Sequence, residues 1–176
     1  MFDFLELAKK RQSCRNFTGE PIPHKELANC IEAARLAPSA CNSQPWSFVV
    51  VESREKVKEA AKCGQVLGNP FLDKAGAFIV LIEEHAVLKP PVAARYSSQT
   101  FAAGDLGGAA ENICLAAESQ GVGSCIIGIF DRATLTELCD IPADKNIFLL
   151  IALGIPVNSE TRPKARKSAE DIVRYI

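Results

Sequence analysis

The stretch 98–120 constrains the fold more than any other part of the chain. It reads as the longest helix, stopped by Gly121, and one end is bare of large side chains: Ala102, Ala103, Gly104, Gly107, Gly108, Ala109 and Ala110. Small residues at helical spacing let another helix or backbone approach closely. Such a helix belongs at the centre of a fold, with a face suited to pairing with a copy of itself. Four short apolar runs around it predict strands at 46–52, 77–83, 124–129 and 147–153. Shorter helices are predicted over 3–11, 24–37, from an N-cap at Ser53 to Cys63, and from a cap at Asp131 to Cys139. Strands separated by helices of unequal length give an α/β or α+β fold. Segment 85–95, with Pro90-Pro91, reads as a loop, and 154–167 is polar and broken by proline. A last helical turn begins at Ser168, so the end of the chain reads as an arm lying on something else.

The 176 residues fit one domain, 1–176, whose last stretch from about 155 to 176 forms that arm. Such a chain buries about 70% of its unfolded surface, enough for a core without disulfide or metal staples. Hydrophobic residues at 48% exclude wholesale disorder, and a net charge of −1 gives no global field for nucleic acid or anionic lipid. Any anion site is therefore local. The absence of an 18-residue apolar run argues against a membrane-spanning helix. The opening Met1 to Leu7 carries two acids where a signal peptide needs an apolar core, and reads as the first turns of a mature helix. Seven cysteines, an odd count without CxxC spacing, read as small buried hydrophobes of a reducing, cytoplasmic setting. With only His24 and His85, and no HExxH, metal catalysis is not expected.

Charge placement is the first hint of chemistry. Lys9 to Arg15 holds four basic residues in seven, and Arg162 to Lys167 four in six, at opposite ends of the chain. If the fold joins those ends, their donors make a site for a phosphate dianion; taken singly, each run reads as a solvated face. The second feature is Pro38-Ser39-Ala40-Cys41-Asn42-Ser43-Gln44-Pro45-Trp46, a loop of short amides and hydroxyls between a helix and a buried strand. It supplies donors at fixed depth, or else is a connection built on Asx and Ser turns, with Trp46 a core anchor either way. The third is Gly121-Val122-Gly123 leading to Ile127-Gly128. No GxGxxG follows a strand and no GxxxxGK[ST] occurs, so neither a Rossmann site nor a P-loop is supported. Gly128 after an apolar strand suggests backbone brought close to a flat ligand. Neither histidine lies near a nucleophile-elbow signature, and Glu83-Glu84 reads as a strand end reaching solvent.

Together these segments resemble the FMN-dependent nitroreductase superfamily in a short form. Lys10-Arg11-Gln12-Ser13-Cys14-Arg15-Asn16-Phe17 is similar to that family's opening motif. The Pro38 to Trp46 stretch, the small-residue helix running into Gly121-Val122-Gly123-Ser124-Cys125, and the basic tail follow in the family's order. The resemblance implies a mostly antiparallel sheet of four to five strands flanked by helices, an α+β three-layer fold whose C-terminal arm reaches a partner subunit. It implies a homodimer holding FMN at the subunit interface, and a ping-pong exchange between NAD(P)H and a nitroaromatic, quinone or similar acceptor. By position, Arg11 and Ser13 hold the FMN phosphate, joined by Arg166 and Lys164 from the tail, while Gln12 contacts the flavin or ribityl chain. Arg15 falls near either the pyrimidine end or the phosphate. Pro38, Ser39 and Asn42 approach the flavin from the partner subunit, Ile127 and Gly128 lay backbone over the ring, and Asn69 falls at the pyrimidine edge. Segment 64–74 departs from the family pattern. The rival readings are another flavin reaction of the same superfamily (dehalogenation or oxidative dehydrogenation), a flavin-binding protein without turnover, and a nucleic-acid binder using the basic runs.

Overall fold

In the computed structural model, which describes residues 3–176, the chain runs α1 (Phe4–Lys10), α2 (His24–Arg35), β1 (Trp46–Val51), α3 (Arg54–Cys63), β2 (Ala77–Glu83), α4 (Pro90–Ala93), α5 (Ala102–Ser119), β3 (Gly123–Ile127), α6 (Arg132–Leu138), β4 (Asn146–Gly154) and α7 (Ala169–Ile172). Met1 and Phe2, the start of the expected first helical turns, lie outside the described residues. The four strands form one sheet in the order β1-β2-β4-β3, antiparallel throughout. The fold is α+β in three layers, as expected.

Alternation along the strands builds two cores. In β2, Ala77, Ile79 and Leu81 face the layer of α2 and α5, while Phe78, Val80 and Ile82 face α3 and α6. Both sets are buried, as expected of a strand covered on both faces. In β4 the alternation breaks once. Leu81 pairs with Leu149 and Ile82 with Ile147, so Phe148 is an extra residue, and Phe148 and Leu149 both turn toward the α2 and α5 side. Trp46 anchors that same core.

The long helix is central, but it starts later than its sequence suggests. Residues Ser98–Thr100 form a separate 3-10 turn, and α5 begins at Ala102. Its large residues Leu106 and Ile113 are buried, whereas Gly104, Gly107 and Gly108 leave open space where a side chain would stand. Asn112 Nδ2 donates to the Ala33 carbonyl at 2.9 Å, tying α5 to α2. Pro90-Pro91 starts one helical turn instead of an open loop, since proline suits the first position of a helix. Ser53 stands at the N-cap of α3 without a side-chain cap bond, while Asp131 accepts from Thr134 N–H and caps α6 as expected. The third strand spans Gly123–Ile127, shorter than the expected 124–129 at its far end. Glu83 and Glu84 do more than reach solvent: Gln99 and Asn146 donate to Glu83, while Ser47 and Lys145 hold Glu84. No described helix is long and apolar enough to cross a membrane.

Candidate functional site

The segment after α1 lies along the sheet. Ser13 bridges to Ser124 of β3 and Phe17 to Pro156, just past β4. Cys14 N–H donates to the Ser124 carbonyl at 2.8 Å and Thr18 N–H to that of Ile155 at 2.9 Å. Two glycines permit this close approach. A Cβ on Gly123 would fall 2.8 Å from Cys14 Cβ, and one on Gly154 would fall 2.5 Å from the Phe17 ring.

The tail crosses back over this head segment. Gln12 Nε2 donates to the Glu160 carbonyl at 2.7 Å, and Gln12 Oε1 accepts from Arg162 N at 3.2 Å and Nε at 3.1 Å. Arg162 Nη2 reaches the Ser13 carbonyl at 2.6 Å, and Lys164 Nζ donates to the carbonyls of Ala8 and Arg11. The two basic runs, some 150 residues apart in sequence, are thus stitched together. The Lys164 ammonium titrates below the ordinary lysine value, first because it is desolvated and then because the cations of Arg11 and Arg166 act on it. Arg11 Nε is buried 3.2 Å from Glu111 Oε1, yet the pair lacks the angle of a hydrogen bond and leaves that N–H unspent. Burial raises the Glu118 carboxyl, against the opposing pull of Lys10, Lys164 and Arg11. Like charges gathered around an unspent donor suit an incoming anion.

Beside this cation group are two hollows. One, of about 640 Å³, is lined by Gln12, Ser13, Arg15, Gly123, Pro156 and Arg162 among others. The smaller, about 210 Å³, is lined by Arg15, Leu67, Asn69, Phe71, Ile127 and Gly128 with their neighbours. Arg15 borders both. Gly128 leaves open space where a Cβ would stand, and Asn69 Nδ2 is held by the Gly64 carbonyl at 3.1 Å. One protomer thus groups Arg11, Lys164 and Arg166, sets Gln12, Ser13 and Arg15 along the larger hollow, and sets Arg15, Asn69, Ile127 and Gly128 along the smaller. The Gln12 amide is taken up by the tail, and Arg11, Lys164 and Arg166 border neither hollow.

Pro38, Ser39 and Asn42 are elsewhere, on the loop between α2 and β1, and border neither hollow. Cys41, Asn42 and Gln44 take positive φ of 54°, 54° and 48° there. The sequence reading missed Arg162 and Glu160 as the clasp, and Asp105, whose carboxylate accepts from Ala40 N–H at 3.1–3.2 Å. Arg162 was visible only as one cation of a run, and no sequence signal marks which of them reaches back to Gln12 and Ser13.

The profile of the Nitroreductase family matches residues 8–66 and 63–155. A protein of Archaeoglobus fulgidus provisionally named NADH dehydrogenase/NAD(P)H nitroreductase is 35% identical, over 89% of this chain and 87% of its own. The FMN reductase [NAD(P)H] of Bacillus subtilis is 26% identical, over 99% of this chain and 74% of its own. The crystal structure of a nitroreductase family protein from Streptococcus pneumoniae superposes with a TM-score of 0.84 at 32% identity, covering 99% of this chain and 100% of that one. The chain belongs to the nitroreductase family.

Proposed function

We propose that this chain is an FMN-dependent oxidoreductase that takes reducing equivalents from NAD(P)H and passes them to a nitroaromatic, a quinone or a similar small acceptor. The names of its relatives support the nicotinamide donor and the flavin. The observation that carries the reading is the meeting of Arg11, Lys164 and Arg166 beside Ser13, next to hollows bordered by Arg15, Asn69, Ile127 and Gly128. Three cations, one of which (Arg11) carries an unspent buried N–H, fit a phosphate dianion.

FMN, when bound, would supply the two-electron redox chemistry. The residues of the chain bind and orient. Arg11, Ser13, Lys164 and Arg166 would hold the phosphate end. Arg15 and Asn69 border the smaller hollow and would offer cationic and amide donors to the ring. Ile127 and Gly128 supply a backbone wall, open because Gly128 bears no side chain. Donor and acceptor take turns on one open face, which predicts ping-pong kinetics.

The site is completed in a homodimer in which Pro38, Ser39 and Asn42 of each chain face the other's flavin and the end of the arm, past the stretch that clasps its own head segment, reaches the partner. Support comes from the open glycine face of α5 and from the exposed Ile172, Val173, Tyr175 and Ile176. A cytoplasmic setting agrees with seven unpaired cysteines. The test is anaerobic addition of NADH or NADPH to the purified yellow protein. Bleaching of the flavin band, restored by a quinone or nitroaromatic, is the expected result; an unbleached flavin with both donors would leave only a binding protein.

A further inference from the structure

The loop between α2 and β1 costs free energy to hold in shape. Cys41 and Asn42 sit consecutively in the left-handed region and Gln44 follows; asparagine tolerates that region, but for Cys41 and Gln44 it is disfavoured by the clash of Cβ with the following carbonyl. Inside the loop, Asn42 N–H donates to the Ser39 carbonyl at 3.0 Å, and Gln44 N–H to Ser39 Oγ at 2.9 Å. From outside, Lys89 N–H meets Cys41 Sγ at 3.4 Å. The charged anchor is Asp105, in the first turn of α5, whose two carboxylate oxygens lie 3.2 and 3.1 Å from Ala40 N. That contact joins residues 65 apart in sequence and is half-buried. A hydrogen bond to a charged acceptor is among the stronger ones available to a backbone N–H.

We propose that Asp105 is a positioning residue: by holding the Ala40 amide it fixes the Ser39–Asn42 turn in the shape with which each chain meets its partner's FMN. This rests on the FMN reading above and adds to it the group that presets the loop. Without the carboxylate the turn relaxes, and flavin binding must then supply the ordering. A carboxylate needed only for its charge at the start of a helix would act differently, because asparagine keeps an acceptor and loses the charge.

The experiment compares Asp105→Ala, Asp105→Asn and Ala40→Pro with the wild-type holoprotein, reading FMN affinity by fluorescence titration and loop order by hydrogen exchange of 39–45 without FMN. Ala40→Pro deletes the same bond from the donor side; Ser39, at φ −146° and ψ 153°, already has the extended backbone that a residue before proline adopts. The expected result is an FMN Kd about tenfold weaker in Asp105→Ala and Ala40→Pro, with faster loop exchange, and a loss between wild type and Asp105→Ala in Asp105→Asn, which keeps an acceptor but loses its charge. Unchanged FMN affinity in Asp105→Ala overturns the proposal, even if the loop exchanges faster. So does an Asp105→Asn variant that weakens as far as Asp105→Ala. A wild-type chain that binds no FMN would overturn the parent reading instead, and the proposal with it.

Discussion

Lys164 is the residue whose environment says most about the site. In the ligand-free chain its folded-state pKa lies below the ordinary 10.5, by desolvation and by repulsion from Arg11 and Arg166. A lysine depressed in this way costs stability while it is charged, and the cost fades as pH rises through the depressed value toward 10.5. A bound phosphate dianion reverses the sign by favouring the charged form. FMN affinity should therefore fall on the alkaline side, starting below the usual lysine range and ahead of any loss of riboflavin affinity, whose ring ionises in both flavins alike; titrations of both from neutral pH upward check this. Arg11→Ala removes a charge-assisted contact of roughly 1.5–3 kcal/mol, which corresponds to roughly a tenfold to hundredfold weaker FMN Kd. Adding Arg166→Ala should weaken it further, and full flavin occupancy of the double variant at high dilution would contradict the phosphate assignment. Elsewhere burial pushes the thiols of Cys30 and Cys114 up to about 11, so at neutral pH both should react slowly with a thiol reagent until the protein is unfolded.

Among elements, the head segment matters most because it is held by close approach. Gly154 allows the Phe17 ring to lie where any Cβ would clash at 2.5 Å. Gly154→Ala should cost about 1–3 kcal/mol of overpacking, seen as a lower urea midpoint with an unchanged m-value. This close approach was not legible in the sequence, where Gly154 read only as the start of a polar stretch. The strands were legible because their β-branched runs are short and bounded by breakers, as at Phe48-Val49-Val50-Val51. The register of β4 was not, because the bulge at Phe148 depends on its partner strand, and local composition carries no trace of it. The split of the expected helix 98–120 into a 3-10 turn and α5 was hidden for a similar reason. Gln99 leaves the helical course to hold Ala86 N–H and the Glu83 carboxylate, both distant in sequence.

At the scale of the whole molecule, the meeting of head and tail was the conditional part of the sequence reading, since two basic runs show charge but not proximity. What brings them together is the backbone pairing of 13–18 with β3 and the chain beyond β4, followed by the Gln12–Arg162 clasp. The loop carrying Pro38, Ser39 and Asn42 stays apart from that region within one protomer, the arrangement required if a second copy completes the site. Gly107 is exposed, with nothing near the place of a Cβ, so Gly107→Leu should fold normally as a single chain. In the proposed dimer the same side chain meets the partner. Sedimentation should then show the mass falling toward 19.0 kDa, with flavin lost and helical circular dichroism retained. A variant that keeps twice that mass would place the interface elsewhere.

The most direct measurement compares the affinity of the wild-type protein for FMN and for riboflavin, which differ only by the phosphate. With Arg11, Lys164 and Arg166 converging on a dianion, FMN should bind at least about a hundredfold tighter, and added salt should narrow the gap. Equal affinity for the two flavins would show that the cations of head and tail meet around something other than a phosphate.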